Sequence, residues 1–407
     1  MLSARKRITK ADNSGYVLRS ELLPGGSGGY NPNESQSHIY LNLSIINADT
    51  GDAKTAPVQC VFSESRQVPI LNDASEYDLS VVRFAANGTG RLLPLWIPII
   101  QSPQTLNPPD VDATIYSVTV FHAGTASQKY MTWVTSNLGA PKPSTVTPQD
   151  LSSDYYYLRT FTAWCNMFNT ALSAACVGAG LLPLTYTEGI SYDKQSKLFS
   201  LKLPTKFFDT PTTPAPSDRA LLSFNAPMAN LLANFDFSVQ PSPVVSGQAY
   251  TLNTPLWSGA VNDPTPVITQ DFQSTDDVWS PIDSFVFTTT FVPLLPEQGT
   301  APVIVGTNNT GQNLAVGAGF TNVITDFVPD LSAGAQDGLS SQVYVPTSEY
   351  RISSMTTHQP IQQIDVTMFW RYRLTGTLIP LYMANLSTVT IKILFRRKDW
   401  RAQASTA

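Results

Sequence analysis

Only one stretch of this 407-residue chain repeats apolar side chains at helical spacing; the other apolar segments are short and bounded by turn residues. Between about Asp154 and Cys176, the residues Tyr157, Leu158, Phe161, Trp164, Cys165, Phe168, Leu172 and Ala175 recur three or four positions apart, while Arg159, Thr162, Asn166, Asn169 and Ser173 fill the opposite face. The spacing predicts an amphipathic helix of about five to six turns. Gly178 and Gly180 end it, and its aromatic stripe should lie on a sheet. Elsewhere the period is two. From His38 to Ile46, Ile39, Leu41, Leu43 and Ile45 alternate with Tyr40, Asn42 and Ser44, which is the pattern of a strand with one buried face. Further strands are expected at Tyr77 to Ala85, Ile115 to His122, Lys129 to Val134, Leu198 to Leu203, Leu221 to Phe224, Asn234 to Val239, Ser284 to Phe291, Val303 to Val305, Val323 to Phe327, Gln342 to Val345, Ile364 to Trp370 and Val389 to Phe395. A parallel βαβ sheet needs a helix after nearly every strand, so the expected fold is mainly β, a jelly roll or β-sandwich with one or two β units and one central amphipathic helix.

The chain reads as four consecutive parts. Residues 1–35 form a basic, Gly-rich N-terminal arm, expected to be flexible because its Gly25 to Gly29 run cannot bury apolar surface. A first β unit follows over 36–150, a helical connection over 151–184, and a second β unit with a basic C-terminal end over 185–407. The first fifteen residues are polar and basic, and the longest apolar run, Ala171 to Leu184, is interrupted by Gly178, Gly180 and Pro183. Neither a signal peptide nor a membrane span is expected.

Catalytic chemistry finds little support. His38, His122 and His358 stand in different segments without metal-ligand spacing, and there is no G-x-S-x-G elbow. Asp276-Asp277 and the scattered Asp326, Asp330 and Asp337 read as loop carboxylates that cap turns. Gly25 to Gly29 lacks the Lys-Ser/Thr of a phosphate-binding loop. Cys60, Cys165 and Cys176 suit neither a metal site nor a disulfide framework and are expected to be reduced thiols. No catalytic, cofactor-binding or metal-binding residue is therefore assigned. The one directional charge feature is basic: Arg5, Lys6, Arg7 and Lys10 near one end, and Arg396, Arg397 and Lys398 near the other, in a chain whose net charge is -5. Basic terminal blocks suit contact with a nucleic acid or another partner, and equally suit a solvated tail or a nuclear address.

Several strand-and-turn segments resemble virion proteins of small eukaryotic DNA viruses of the virophage and polinton-like kind. They are Tyr77-Asp78-Leu79-Ser80-Val81-Val82-Arg83-Phe84, Phe291-Val292-Pro293-Leu294-Leu295-Pro296-Glu297, Ile324-Thr325-Asp326-Phe327, the run from Tyr344 to Arg351, and the run from Ile391 to Lys398. The resemblance spans about 65–400. It implies a jelly-roll capsid subunit, either a minor capsid or penton protein or a major one, with no catalytic residues to carry over. A minimal single jelly roll does not require the long central helix.

Composition agrees with a protein that works by packing. Charged residues are only 14% of the chain, against roughly 25% in an ordinary soluble domain. Interface cores are depleted in charge in the same way. The expected function is a structural subunit of a non-enveloped icosahedral particle, packed laterally against copies of itself and other capsid proteins, with the viral genome as a further partner of the basic termini. The alternative is a receptor- or glycan-binding fibre or lectin-like protein, which would display aromatics such as Trp257 or Trp279 in exposed loops.

Overall fold

The computed structural model describes residues 8–11, 17–24, 38–48, 58–87, 93–144, 149–210, 219–242, 244, 247–259, 263–272, 279–294, 304–307, 313–316, 322–329, 341–345, 352–383 and 385–398. The strands and helices used below are, in chain order, β1 (Ile8–Ala11), β2 (Val17–Pro24), β3 (His38–Ile46), β4 (Val61–Ser65) and β5 (Tyr77–Asn87). Next come β6 (Ala113–His122), β7 (Thr125–Thr132), α1 (Phe161–Gly178), β8 (Gly189–Asp193), β9 (Leu198–Lys202), β10 (Leu221–Phe224) and α2 (Ala226–Leu231). They are followed by β11 (Phe237–Pro241), β12 (Gln248–Leu252), β13 (Val267–Thr269), β14 (Ile282–Thr289) and β15 (Asn322–Phe327). The last are β16 (Ser341–Tyr344), β17 (Gln363–Tyr372) and β18 (Thr388–Arg397).

Two compact units result: residues 1–94 with 281–407, and residues 95–280. This differs from the expected succession of 36–150, 151–184 and 185–407, because the second unit is inserted into the first.

The first unit is a jelly roll. One sheet runs β3-β18-β5-β16 and the other β4-β17-β14-β15. Numbered along the chain, these eight strands stand 1-8-3-6 and 2-7-4-5, the paired Greek keys of that fold. The alternation in β3 buries Ile39, Leu41, Leu43 and Ile45, and β18 contributes Val389, Ile391, Ile393 and Phe395 beside them. Phe84 of β5 meets Phe285 and Phe287 of β14 and Phe327 of β15 at ring separations of 5.7, 5.4 and 6.4 Å, which ties the two sheets together. Strands β1 and β2 continue the first sheet beyond β3. These two strands fall within the 1–35 segment expected to be a flexible arm, and an open β3 edge presents unpaired backbone groups that an added strand satisfies. Gly25 to Gly29 lies outside the described residues.

One carboxylate is built into this unit. Asp365 of β17 is buried and accepts hydrogen bonds from the Thr289 and Thr290 hydroxyls at 2.7 and 2.8 Å. It also accepts from the backbone N–H groups of Thr290 and Phe291 at 2.9 and 2.8 Å. These bonds hold the turn where β14 leaves the sheet.

The inserted unit has a five-stranded sheet, β11-β12-β10-β6-β7, a three-stranded sheet, β13-β9-β8, and α1 packed against β6, β7 and β8. Its centre is aromatic. Trp279 lies within 6 Å of Trp96, Phe161, Trp164 and Phe199, and Trp164 stacks on Phe168.

Helix α1 begins later than expected. The Thr160 hydroxyl accepts from Ala163 N–H as the N-cap, and Asp154–Tyr156 form only a 3-10 turn. The backbone of Leu158 is taken by a bridge to Trp96, so it cannot also be helical. Tyr155, Tyr156, Tyr157 and Leu158 are all buried, four in succession, which a helix with one apolar stripe could not achieve.

All three cysteines are buried free thiols. Burial pushes Cys165 up to about 12 and Cys176 up to about 11, with the Glu188 charge adding to the latter, so they persist as unreactive thiols at neutral pH.

Candidate partner-contact site

The C-terminal basic cluster occupies the end of β18 and is matched by acids on the strand beside it. Arg396 pairs in register with Asp78, its guanidinium 4.0 Å from the carboxylate, and both side chains are largely covered. Ser354 donates a hydroxyl hydrogen bond to the other oxygen of Asp78 at 2.8 Å. Arg397 Nε lies 3.5 Å from Glu76. Lys398 donates its backbone N–H to the Glu76 carbonyl at 2.9 Å and its ammonium to the Met355 carbonyl at 3.1 Å. This arrangement ties the end of the strand to its neighbour and sets an acid beside each of the two arginines, while the Lys398 ammonium meets only a carbonyl. One face along, Lys392 sits 4.5 Å over the Tyr40 ring.

The N-terminal cluster is not brought to the same place by anything described. Arg5, Lys6 and Arg7 lie outside the described residues, and Lys10 is on β1.

The histidines have local partners. His358 Nδ1 lies 2.9 Å from the Ser75 hydroxyl and 3.2 Å from Asp73. A Ser-His-Asp relay uses the two ring nitrogens separately, whereas here both partners meet the same one. Hydrogen bonds from Ser75 and then His358 hold the Asp73 carboxyl below its ordinary value. His122 Nδ1 lies 3.3 Å from the Ala179 carbonyl, and His38 stands opposite Arg396 in the β3–β18 ladder. Asp276, Asp277, Asp330 and Asp337 are outside the described residues. Among the described residues no group of three or more His, Cys, Asp or Glu is placed to hold a metal, and no helix is long and apolar enough to cross a membrane.

The aromatic markers of the lectin-like alternative behave differently from expectation. Trp279 is 2% exposed and donates its indole N–H to the Leu231 carbonyl at 2.8 Å, so it is core. Trp257 is half-buried and donates to the Asp263 carbonyl at 3.2 Å.

The family model described as Sputnik minor capsid protein V18/19 matches residues 39–397. The chain belongs to this family. It is a structural protein of the virus particle and not an enzyme, and its partners are other capsid subunits. Among the relatives of this minor capsid protein is the uncharacterized protein V18 of the Sputnik virophage, 37% identical over 121 residues, which is 28% of this chain and 70% of the relative. The fold is similar to a chain in the 3.5 Å cryo-EM structure of the Sputnik virophage, with TM-score 0.69 and 19% identity over 90% of this chain and 99% of that one. It is also similar to the mavirus penton protein, with TM-score 0.56 and 16% identity over 89% of this chain and 99% of that one.

Proposed function

We propose that the chain is a vertex subunit of the shell, five copies closing a ring through their jelly-roll units and meeting the other capsid proteins around the rim. The carrying observation is the likeness to the mavirus penton protein, which extends over 89% of this chain and so takes in most of the inserted unit as well as the jelly roll. A ring is built from head-to-tail contacts, in which each subunit offers two different faces to its neighbours. A chain with 14% charged residues has the charge-poor surface that two covered faces need. Native mass spectrometry of the purified protein should find an assembly of five 44.3 kDa chains. A stable monomer or trimer at high concentration would reject the vertex reading.

The genome contact belongs to the N-terminal residues Arg5, Lys6, Arg7 and Lys10 in this reading, because Asp78 and Glu76 already engage Arg396 and Arg397. Binding to duplex DNA should weaken steeply with salt, by roughly 0.9 in log K per log salt for each phosphate contacted. Replacing those four residues with Gln should flatten that dependence. An unchanged slope would remove the arm from genome binding.

A further inference from the structure

The inserted unit carries an open groove of about 870 Å³ along the outer face of α1. Asn166, Thr170 and Val177 line it from the helix, the segment from Leu184 to Glu188 forms the opposite wall, and Lys129 of β7 stands at one end. We propose that this groove binds a neutral oligosaccharide. The inference goes beyond the vertex reading and does not depend on it.

The groove is formed before any ligand arrives. Ser173 accepts a hydrogen bond from Leu184 N–H at 3.1 Å, and Glu188 accepts from Thr185 N–H at 2.8 Å. Asn169 accepts from Ile190 N–H at 2.7 Å and donates to the Ile190 carbonyl at 3.0 Å. The wall is thus tied to the helix at both of its ends. Gly189 permits this closeness: its φ is +107°, and a Cβ there would lie 2.4 Å from Asn169 Oδ1. The backbone of the wall is thus fixed in place, which lowers the cost of ordering the protein around a ligand, and the groove's volume falls within the usual range for small-molecule sites.

The lining selects the chemistry. Tyr186 is wholly exposed, its ring standing in water at the groove wall. Such a ring gains by covering itself with the C–H face of a sugar while its hydroxyl stays wet. Asn166 supplies an amide with two donors and an acceptor, and the Thr170 hydroxyl, which donates to the Asn166 carbonyl at 2.8 Å, retains lone pairs to accept from a sugar hydroxyl. Lys129 and Glu188 bring one positive and one negative charge, so the groove does not favour a phosphate chain or an acidic peptide. A helical partner or a second copy of this chain would want a continuous apolar stripe, and Asn166, Thr170 and Lys129 interrupt it.

The test is saturation-transfer-difference NMR on the full chain with lactose, chitobiose and mannobiose, each at millimolar concentration. At least one disaccharide should receive saturation, and Tyr186→Ala should abolish it while the thermal melt stays unchanged, since this side chain packs on nothing. Asn166→Ala should weaken binding about tenfold, the equivalent of a hydrogen-bonded contact worth about 1.4 kcal/mol. No transfer to any of the three, or equal transfer to wild type and Tyr186→Ala, would overturn the proposal. A change in assembly size with Tyr186→Ala and no sugar contact would also overturn it, by assigning the groove to a subunit interface.

Discussion

Phe168→Asp is expected to leave the inserted unit unfolded. Phe168 is fully buried on α1, stacked on Trp164 at 5.3 Å and 5.9 Å from Phe224 on the sheet. Removing a buried aromatic costs about 3–5 kcal/mol through lost packing alone. An unpaired carboxylate in that position adds a desolvation penalty of several kcal/mol more. The sum is comparable to the whole stability of a domain, about 5–15 kcal/mol. Near-ultraviolet circular dichroism, dominated by the tryptophan cluster around Trp279, should lose its signal. A soluble variant with a cooperative melt and an intact near-ultraviolet spectrum would show that the stripe is not core.

Asp365→Ala is expected to destabilise the jelly roll by about 2–4 kcal/mol, because each donor left without a partner costs about 1–3 kcal/mol. The backbone N–H groups of Thr290 and Phe291 cannot turn away, whereas the two threonine hydroxyls can. Asp365→Asn should fall between the two, as its amide oxygen still accepts while its NH₂ faces donors. Chemical denaturation followed through the jelly-roll transition measures both. Equal stabilities for wild type and Asp365→Ala would mean that water serves the turn as well as the carboxylate does.

What could be read from the residues follows from how local each signal is. The alternation in His38 to Ile46 matches its strand residue for residue, since a half-buried strand writes its period into consecutive positions, and the short apolar run Leu221 to Phe224, buried at three successive residues, matches its strand as well. Strand β4 was not visible: of its five residues only Phe62 is buried, so Val61–Ser65 shows no apolar period. The start of α1 misleads because Tyr157, Leu158 and Phe161 happen to stand three and four apart while the first two serve an extended segment. The surroundings of the C-terminal basic run were hidden for a different reason. A basic run at 396–398 looks free until its partners are known, and Glu76 and Asp78 lie at the far end of the sequence, joined to it only through the β5–β18 ladder. The groove on α1 leaves an equally faint trace, one tyrosine in a Thr-rich turn before Gly189.

The position of β18 bears on how the protein is made. It is the last of the eight jelly-roll strands to leave the ribosome, yet it lies in the interior of its sheet, between β3 and β5. Until residues 388–397 have been synthesised, β3 and β5 lack the strand that joins them in one sheet. The inserted unit, complete by Ser280 and rich in contacts of its own, is free to fold during translation, while the jelly roll must wait for its final strand. A chain lacking residues 388–397 would leave β3 and β5 with facing edges and unpaired backbone groups where the strand between them belongs.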